Sequence, residues 1–280
     1  MKVTAIHAGN FKLDGGAMFG VVPKSMWSKL NPADENNMCS WALRCLVVEE
    51  GETVMLIDTG IGDKQDDKFF SHYYLHGEHS LAKSLEDAGY SFESITDVFH
   101  THLHFDHCGG SIIRKGDGFA PAFPNARYWV DKKHWNWAIN PNAREKASFL
   151  KENLLPMQEL GILHFLPEDS TTEWAWLELF RVSGHTESMV LPVIMSEKTK
   201  LVFCADLFPS LHHIPMPYIM AYDVRPLETM ADKTRFFDRA LKEEWTLFFE
   251  HDPVNECAVL EMNERGVRIA RSFELETVSF

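Results

Sequence analysis

At 280 residues, with 45% hydrophobic and 12% aromatic side chains, the chain can bury a sizeable core. Its formal net charge of -14 disfavours a general nucleic-acid binder, because an acidic surface repels a phosphate backbone. No apolar run approaches the roughly 20 residues of a membrane span, and the opening MKVTAIHAGNFKLDG lacks the apolar stretch of a signal peptide.

Asp14 to Asn37 reads as a loop-rich segment, with Gly15, Gly16, Pro23 and Pro32 set among Met18, Phe19, Met26 and Trp27. Such a loop either caps a core or lines a pocket. Ser40 to Val48 and Thr53 to Ile57, joined through Glu49-Glu50-Gly51-Glu52, read as a β-hairpin ending in Asp58-Thr59-Gly60. His79 to Gly89 has helical spacing, with Gly89 as its stop. Ile95 to His100 and Ala126 to Val130 are β-like, and Asp131 to Ala138 and Ala143 to Leu160 are helical. Trp174 to Val182 and Leu191 to Asp206 are strand-rich, Leu227 to Glu243 is helical, and Thr246 to Phe249 is a last apolar run. Hairpins among interspersed helices predict two mixed sheets with helices outside rather than one parallel sheet. The five cysteines form no CxxC pair, which points to reduced thiols in a cytosolic setting.

Chemistry concentrates in Thr-His-Leu-His-Phe-Asp-His-Cys-Gly-Gly, residues 101–110. His102, His104, Asp106 and His107 are four metal-competent side chains within six residues. On an extended segment residues two apart face the same way, so His102 and His104 can share one ion. Asp106 and His107 need a turn to converge on a second, and Gly109-Gly110 allow tight backbone there. Burying three imidazoles and a carboxylate with no ion would leave many polar atoms to satisfy. This donor set suits zinc and its neighbours better than magnesium or calcium. Two ions need more ligands, and His185, Asp206 and His251 each stand at the end of a β-like run.

Together these residues resemble the metallo-β-lactamase-fold superfamily. The resemblance rests on His102-x-His104-x-Asp106-His107, Asp58-Thr59-Gly60, Gly184-His185-Thr186, Asp206 and His251. It implies an α/β fold, an αβ/βα four-layer sandwich of two mixed β-sheets flanked by helices. One hydrolase domain would span 1–280, with 14–37 near the active site. By the resemblance, His102, His104 and His185 hold one divalent ion, and Asp106, His107 and His251 hold the other. Asp206 bridges them together with a hydroxide, Asp58 orients a ligand histidine, and Asp106 is the catalytic proton shuttle. Zinc leads, with manganese, iron and cobalt as alternatives. His100 lies outside this frame, since counting from it puts His104 and Phe105 where Asp and His belong; it reads as structural. No serine or cysteine nucleophile is required, and Cys108 and Cys204 read as small packing residues.

The segments Phe203 to Tyr222 and Phe249 to Pro253 look like the subgroup of quorum-quenching lactonases and methyl-parathion-hydrolase-like enzymes. Acyl-homoserine lactonases carry a tyrosine three residues after the bridging aspartate. Here that residue is Pro209, which leaves Tyr218, Tyr222, His212 or His213 to substitute.

The leading expectation is a lactonase-like hydrolase of a small neutral ester or lactone, with Met18, Phe19, Trp27, Phe208, His213, Tyr218 and Tyr222 as substrate contacts. Core packing would account for those aromatics equally well. A glyoxalase-II-like thioesterase would want a basic pocket for its anionic substrate, and the C-terminal half shows no compact Lys/Arg cluster, though Arg225 and Lys233 are there. A phosphodiesterase or phosphotriesterase of the same fold is a further alternative; the net charge opposes a nuclease. A diiron oxidoreductase typically has glutamate where this chain has His104. A non-enzymatic binding protein would tend to lose ligands, and all seven are present. The expected partner is a small molecule in the cytoplasm, with no nucleic acid or membrane, and a homodimer is compatible.

Overall fold

The computed structural model describes residues 1–169 and 172–280. Among the described residues the strands are β1 (Lys2–Asp14), β2 (Met38–Glu50), β3 (Thr53–Ile57), β4 (Asp97–Phe99), β5 (Ile112–Lys115), β6 (Gly118–Pro121), β7 (Arg127–Val130), β8 (Leu163–Phe165), β9 (Leu177–Val182), β10 (Met189–Met195), β11 (Lys200–Phe203), β12 (Thr246–Phe248), β13 (Cys257–Asn263) and β14 (Gly266–Phe273). The α-helices are α1 (Gly15–Phe19), α2 (Lys24–Trp27), α3 (Asp67–Phe70), α4 (Leu81–Asp87), α5 (Phe105–Cys108), α6 (Lys132–Ile139), α7 (Lys151–Glu159) and α8 (Pro226–Lys242). Two mixed six-stranded sheets run in the orders β1-β2-β3-β4-β7-β8 and β14-β13-β12-β11-β10-β9. This is the α/β class expected, two mixed sheets flanked by helices. The chain divides into two compact units, Met1–Gly9 with Leu43–Thr172 and Ser188–Val190, and Asn10–Ala42 with Glu173–Glu187 and Leu191–Phe280.

In the first unit the predicted hairpin forms, pairing Leu46 with Ile57 and Glu50 with Thr53. Its turn needs Gly51 at φ +60°. Strands β3, β4, β7 and β8 are parallel. Leu56, Val98, Tyr128 and Val130 are buried with Phe123, Trp135 and Met157 in one core cluster. Near-continuous apolar runs are what a parallel sheet covered on both faces requires. Parallel neighbours end at the same edge, so the loops after β3 and β4 emerge side by side, and the Asp58 amide donates to the Phe99 carbonyl (2.9 Å).

In the second unit the same logic applies to β11 and β12, which pair in parallel, whereas β10–β11, β12–β13 and β13–β14 pair antiparallel. Their ends deliver Asp206 and His251 to one edge. Helix α8 buries Phe236, Phe237 and Ala240, and Phe236 meets Phe180, Phe208 and Trp245 edge-on or tilted.

Some expectations change. Ala143 to Leu160 is helical only from Lys151; before it the Asn142 carboxamide oxygen takes the amides of Arg144 and Glu145 (2.8 and 3.1 Å) in a turn. The run Leu191 to Asp206 is a hairpin, broken where the Ser196 amide donates to the Thr199 carbonyl. The loop-rich segment contains α1 and α2, and the Asp14 carboxylate caps α1 at the Ala17 amide (2.8 Å).

At the end of α8, the Glu243 carboxylate accepts from Arg239 (2.8 Å), Lys200 (2.6 Å) and Trp245 (3.2 Å). The Arg239 bond chiefly, then those from Lys200 and Trp245, hold its pKa down at about 2 against the opposing effect of burial. A depressed carboxylate adds stability above its ordinary pKa and loses it as pH falls from about 4.5 toward 2. Glu243→Gln is therefore expected to cost about 1–2 kcal/mol at pH 7, discounted for partial exposure. The gap to the parent in urea unfolding should close as pH approaches 2.

Candidate metal centre

The first unit presents His102, His104, Asp106 and His107 on the loop after β4 and on α5, all buried. Nε2 of His102 lies 3.1 Å from Nδ1 of His104. Two ligands about 2.0–2.1 Å from one tetrahedral ion stand about 3.3 Å apart, so this pair is already spaced for a shared ion. The other ring atoms are tied down. Thr101 donates its amide (2.9 Å) and hydroxyl (2.6 Å) to Asp58. Its oxygen then accepts from Nδ1 of His102 (3.1 Å). Asp58 also accepts from Nδ1 of His107 (3.1 Å). Nε2 of His134 accepts the Leu103 amide (2.8 Å), pinning the backbone between His102 and His104. Glu145, bonded by Trp137 and Asn142, lies 3.6 Å from Nε2 of His104. Cβ atoms at Gly109 and Gly110 would collide with the carbonyls of Ile61 and Thr59, so these glycines let the loops close up.

The second unit presents His185, Asp206 and His251. Asp206 Oδ2 lies 3.2 Å from Nε2 of His185, and Oδ1 lies 3.2 Å from Nε2 of His251. One carboxylate thus turns one oxygen to each histidine. Nδ1 of His185 donates to Asp223 (2.9 Å), which accepts from the Thr229 hydroxyl on α8 (2.8 Å). Nδ1 of His251 donates to the Ala42 carbonyl (2.8 Å). Asp232 accepts the amides of Ser183 and Gly184 (2.9 and 3.0 Å) and fixes the approach to His185. Engaging Nδ1 of His107, His185 and His251 leaves each Nε2 lone pair for a metal.

The ligand-type side chains fall into His102, His104, His185 and Asp206 in one group, and Asp106, His107 and His251 in another. His185 and His251, to which Asp206 turns its two oxygens, belong to different groups. These groups are the ligand set of a dinuclear divalent-metal site. Burial pushes the Cys108 thiol up to about 12 and raises that of Cys204 as well, which favours thiol over thiolate at both. His100 is packed as neutral imidazole against Ser111, with burial pulling its pKa down to about 4.

Of the expected substrate contacts, Met18, Phe19, Trp27, Phe208 and His213 are buried. Phe19 is stacked between Trp27 (5.4 Å) and His213 (4.9 Å), and His213 donates from Nε2 to the Met18 carbonyl (2.9 Å). Tyr218 is half-buried and Tyr222 exposed. Pro209 serves the loop, its carbonyl accepting the His251 amide (3.0 Å). Sequence reasoning missed His134, Glu145, Asp223, Thr229 and Asp232, single polar residues far in sequence from the histidines they serve. It also missed an aromatic group beside Asp106, in which Phe105 meets Tyr73 (4.7 Å) and Phe69 (5.3 Å).

Fold and site together define a metal-dependent hydrolase with a dinuclear centre. The family model of the metallo-beta-lactamase superfamily matches residues 44–251. The chain belongs to that superfamily. A solved structure of a probable metal-dependent hydrolase from Staphylococcus aureus is 27% identical, covers 99% of this chain and 98% of its own, and superposes with a TM-score of 0.88. An N-acyl homoserine lactonase of Bacillus cereus is 25% identical over 72% of this chain and 73% of its own. AidC, a dizinc quorum-quenching lactonase, is 23% identical over 97% and 95% of the two chains with a TM-score of 0.78, and at that identity it speaks for the fold. Among the described residues no helix is long and apolar enough to cross a membrane.

Proposed function

We propose that the chain hydrolyses small neutral lactones or esters with an apolar acyl tail, at a zinc pair, in the cytoplasm. The observation that carries the hydrolytic reading is Asp206, with an oxygen 3.2 Å from each of two histidines of different ligand groups. In this reading His102, His104 and His185 would hold one ion, Asp106, His107 and His251 would hold the other, and Asp206 would serve both. Bound divalent ions acidify water and polarise a carbonyl. The chain's own work is to hold these donors, exclude bulk water and move a proton. As water adds to the acyl carbon it gives a proton to the Asp106 carboxylate, and as the acyl C–O bond breaks the departing alkoxide oxygen takes that proton from the Asp106 carboxyl. Asp58 and Thr101 keep His107 and His102 in one tautomer throughout.

The lactonase relatives and the apolar side chains beside the ligands support the substrate class. Tyr218 and Tyr222, which keep accessible surface, are the side chains offered to the tail. Met18, Phe19, Trp27, Phe208 and His213 back them. Residues 1–280 act as one catalytic domain, in which 14–37 contributes through the Met18 to His213 bond. The five cysteines are buried thiols, as in a reducing compartment.

A chain-length series tests this reading. Each fully buried CH2 contributes about 0.8 kcal/mol, or about fourfold. On the zinc-loaded protein, kcat/KM is expected to rise at least about tenfold from butanoyl to octanoyl lactone. It should exceed the values for lactoylglutathione and a bis-aryl phosphodiester. A flat series with clear turnover of either anion would sink the proposal.

A further inference from the structure

Lys233 lies on α8 with its side chain fully buried. Its Nζ stands 2.6 Å from the carbonyl oxygen of His213, 3.0 Å from that of Pro215 and 3.1 Å from that of Tyr218. An ammonium has three N–H donors, and three acceptors use them all. A neutral amine has two, and its lone pair would face a carbonyl oxygen, so the geometry is that of the charged form. Burying a charge is costly unless it is fully hydrogen-bonded. Here burial pulls the pKa down to about 7 while Asp223 opposes it. The Phe208 ring adds a cation–π contact at 5.2 Å.

The three carbonyls belong to a segment otherwise tied to its surroundings at a few points: the Leu211 amide donates to Asp252 (3.1 Å), the His213 ring to the Met18 carbonyl (2.9 Å) and the Ala221 amide to the Ala17 carbonyl (2.8 Å). Between Ser210 and Ile219 the backbone bonds are local, from His213 to Ser210, Ile214 to Leu211, Tyr218 to Pro215 and Ile219 to Pro217. Prolines 215 and 217 offer no amide at all. The same helix holds the His185 side through Thr229 and Asp232. One rigid element therefore templates a metal-competent histidine and the Tyr218 segment together.

We propose that Lys233 is a positioning residue that sets acyl-tail preference, its three carbonyl bonds holding the 211–222 segment so that Tyr218 meets the tail. This rests on the lactone and ester reading above. Lys233→Met keeps the length of the side chain and removes every donor. In the zinc-loaded variant, KM for octanoyl lactone should rise at least tenfold with kcat changed less than threefold, and the chain-length series should flatten. Lys233→Gln, which retains two donors, should fall between the variant and the parent, and carries the same measurements if the methionine variant does not fold. Amide hydrogen exchange over 211–222 should quicken at least tenfold, and exchange over 183–186 should not. Unchanged exchange over 211–222 overturns the clamp. Faster exchange with an unaltered chain-length preference, or an equal loss on every substrate, overturns the link to the tail. A parent enzyme with a flat series would sink the substrate reading instead, and the exchange comparison would still decide the clamp.

Discussion

Asp206→Ala is expected to lower kcat/KM on octanoyl lactone by about three orders of magnitude or more, with cooperative unfolding retained. The carboxylate is the group whose two oxygens address histidines of both ligand groups. Alanine leaves the two ligand groups without the carboxylate that addresses both, and with Asp106 as their one carboxylate left to offset a pair of cations. A catalytic contribution of several kcal/mol from a bound metal corresponds to about 10³-fold in rate. The fold does not depend on this side chain, because β11 and β12 are held by ladder bonds and by Phe203 against Phe248. Metal analysis should fall from two ions per chain to one or none, with excess zinc failing to restore activity. Near-normal turnover with two ions bound would mean that another residue joins the groups.

How much of this was legible in the sequence depends on how local each signal is. The cluster from His102 to His107 could be read because six residues carry four donors, and few structural needs produce that pattern. His185, Asp206 and His251 could be named as candidates because each ends an apolar β-like run, and parallel β11 and β12 explain why the ends carrying Asp206 and His251 meet. Helix α8 was read nearly to the residue because Phe236, Phe237 and Ala240 repeat at helical spacing. Strand β1 escaped because Gly9, at φ +124°, interrupts its alternation. The β13–β14 hairpin escaped because its outer residues are largely polar and exposed. The aromatics of 14–37 pack as a stack of Trp27, Phe19 and His213, a contact across almost 200 residues that no local pattern encodes. The same distance hid Asp223, which lies 38 residues from the histidine it holds.

That hidden carboxylate is expected to have the second large effect. Asp223 fixes His185 by accepting from Nδ1, so Nε2 is the atom left to bind metal. Without it the imidazole can rotate or exchange tautomers, and each metal-binding event must first reorder the ring. Outer hydrogen-bond partners of this kind typically contribute about 10–100-fold in metal affinity. Asp223→Ala is expected to shift the zinc titration of activity by that factor while kcat at saturating zinc recovers to within severalfold of the parent. Thr229→Val should show the same shift in smaller measure. Valine keeps the shape that packs against Gly184, where a Cβ would collide with Thr229, but cannot donate to Asp223. Recovery at high zinc separates this residue from Asp206, whose loss excess metal should not repair. An unchanged titration midpoint in Asp223→Ala would show that His185 is oriented by the backbone around Gly184 alone, with the amides that Asp232 accepts sufficing to aim the ring.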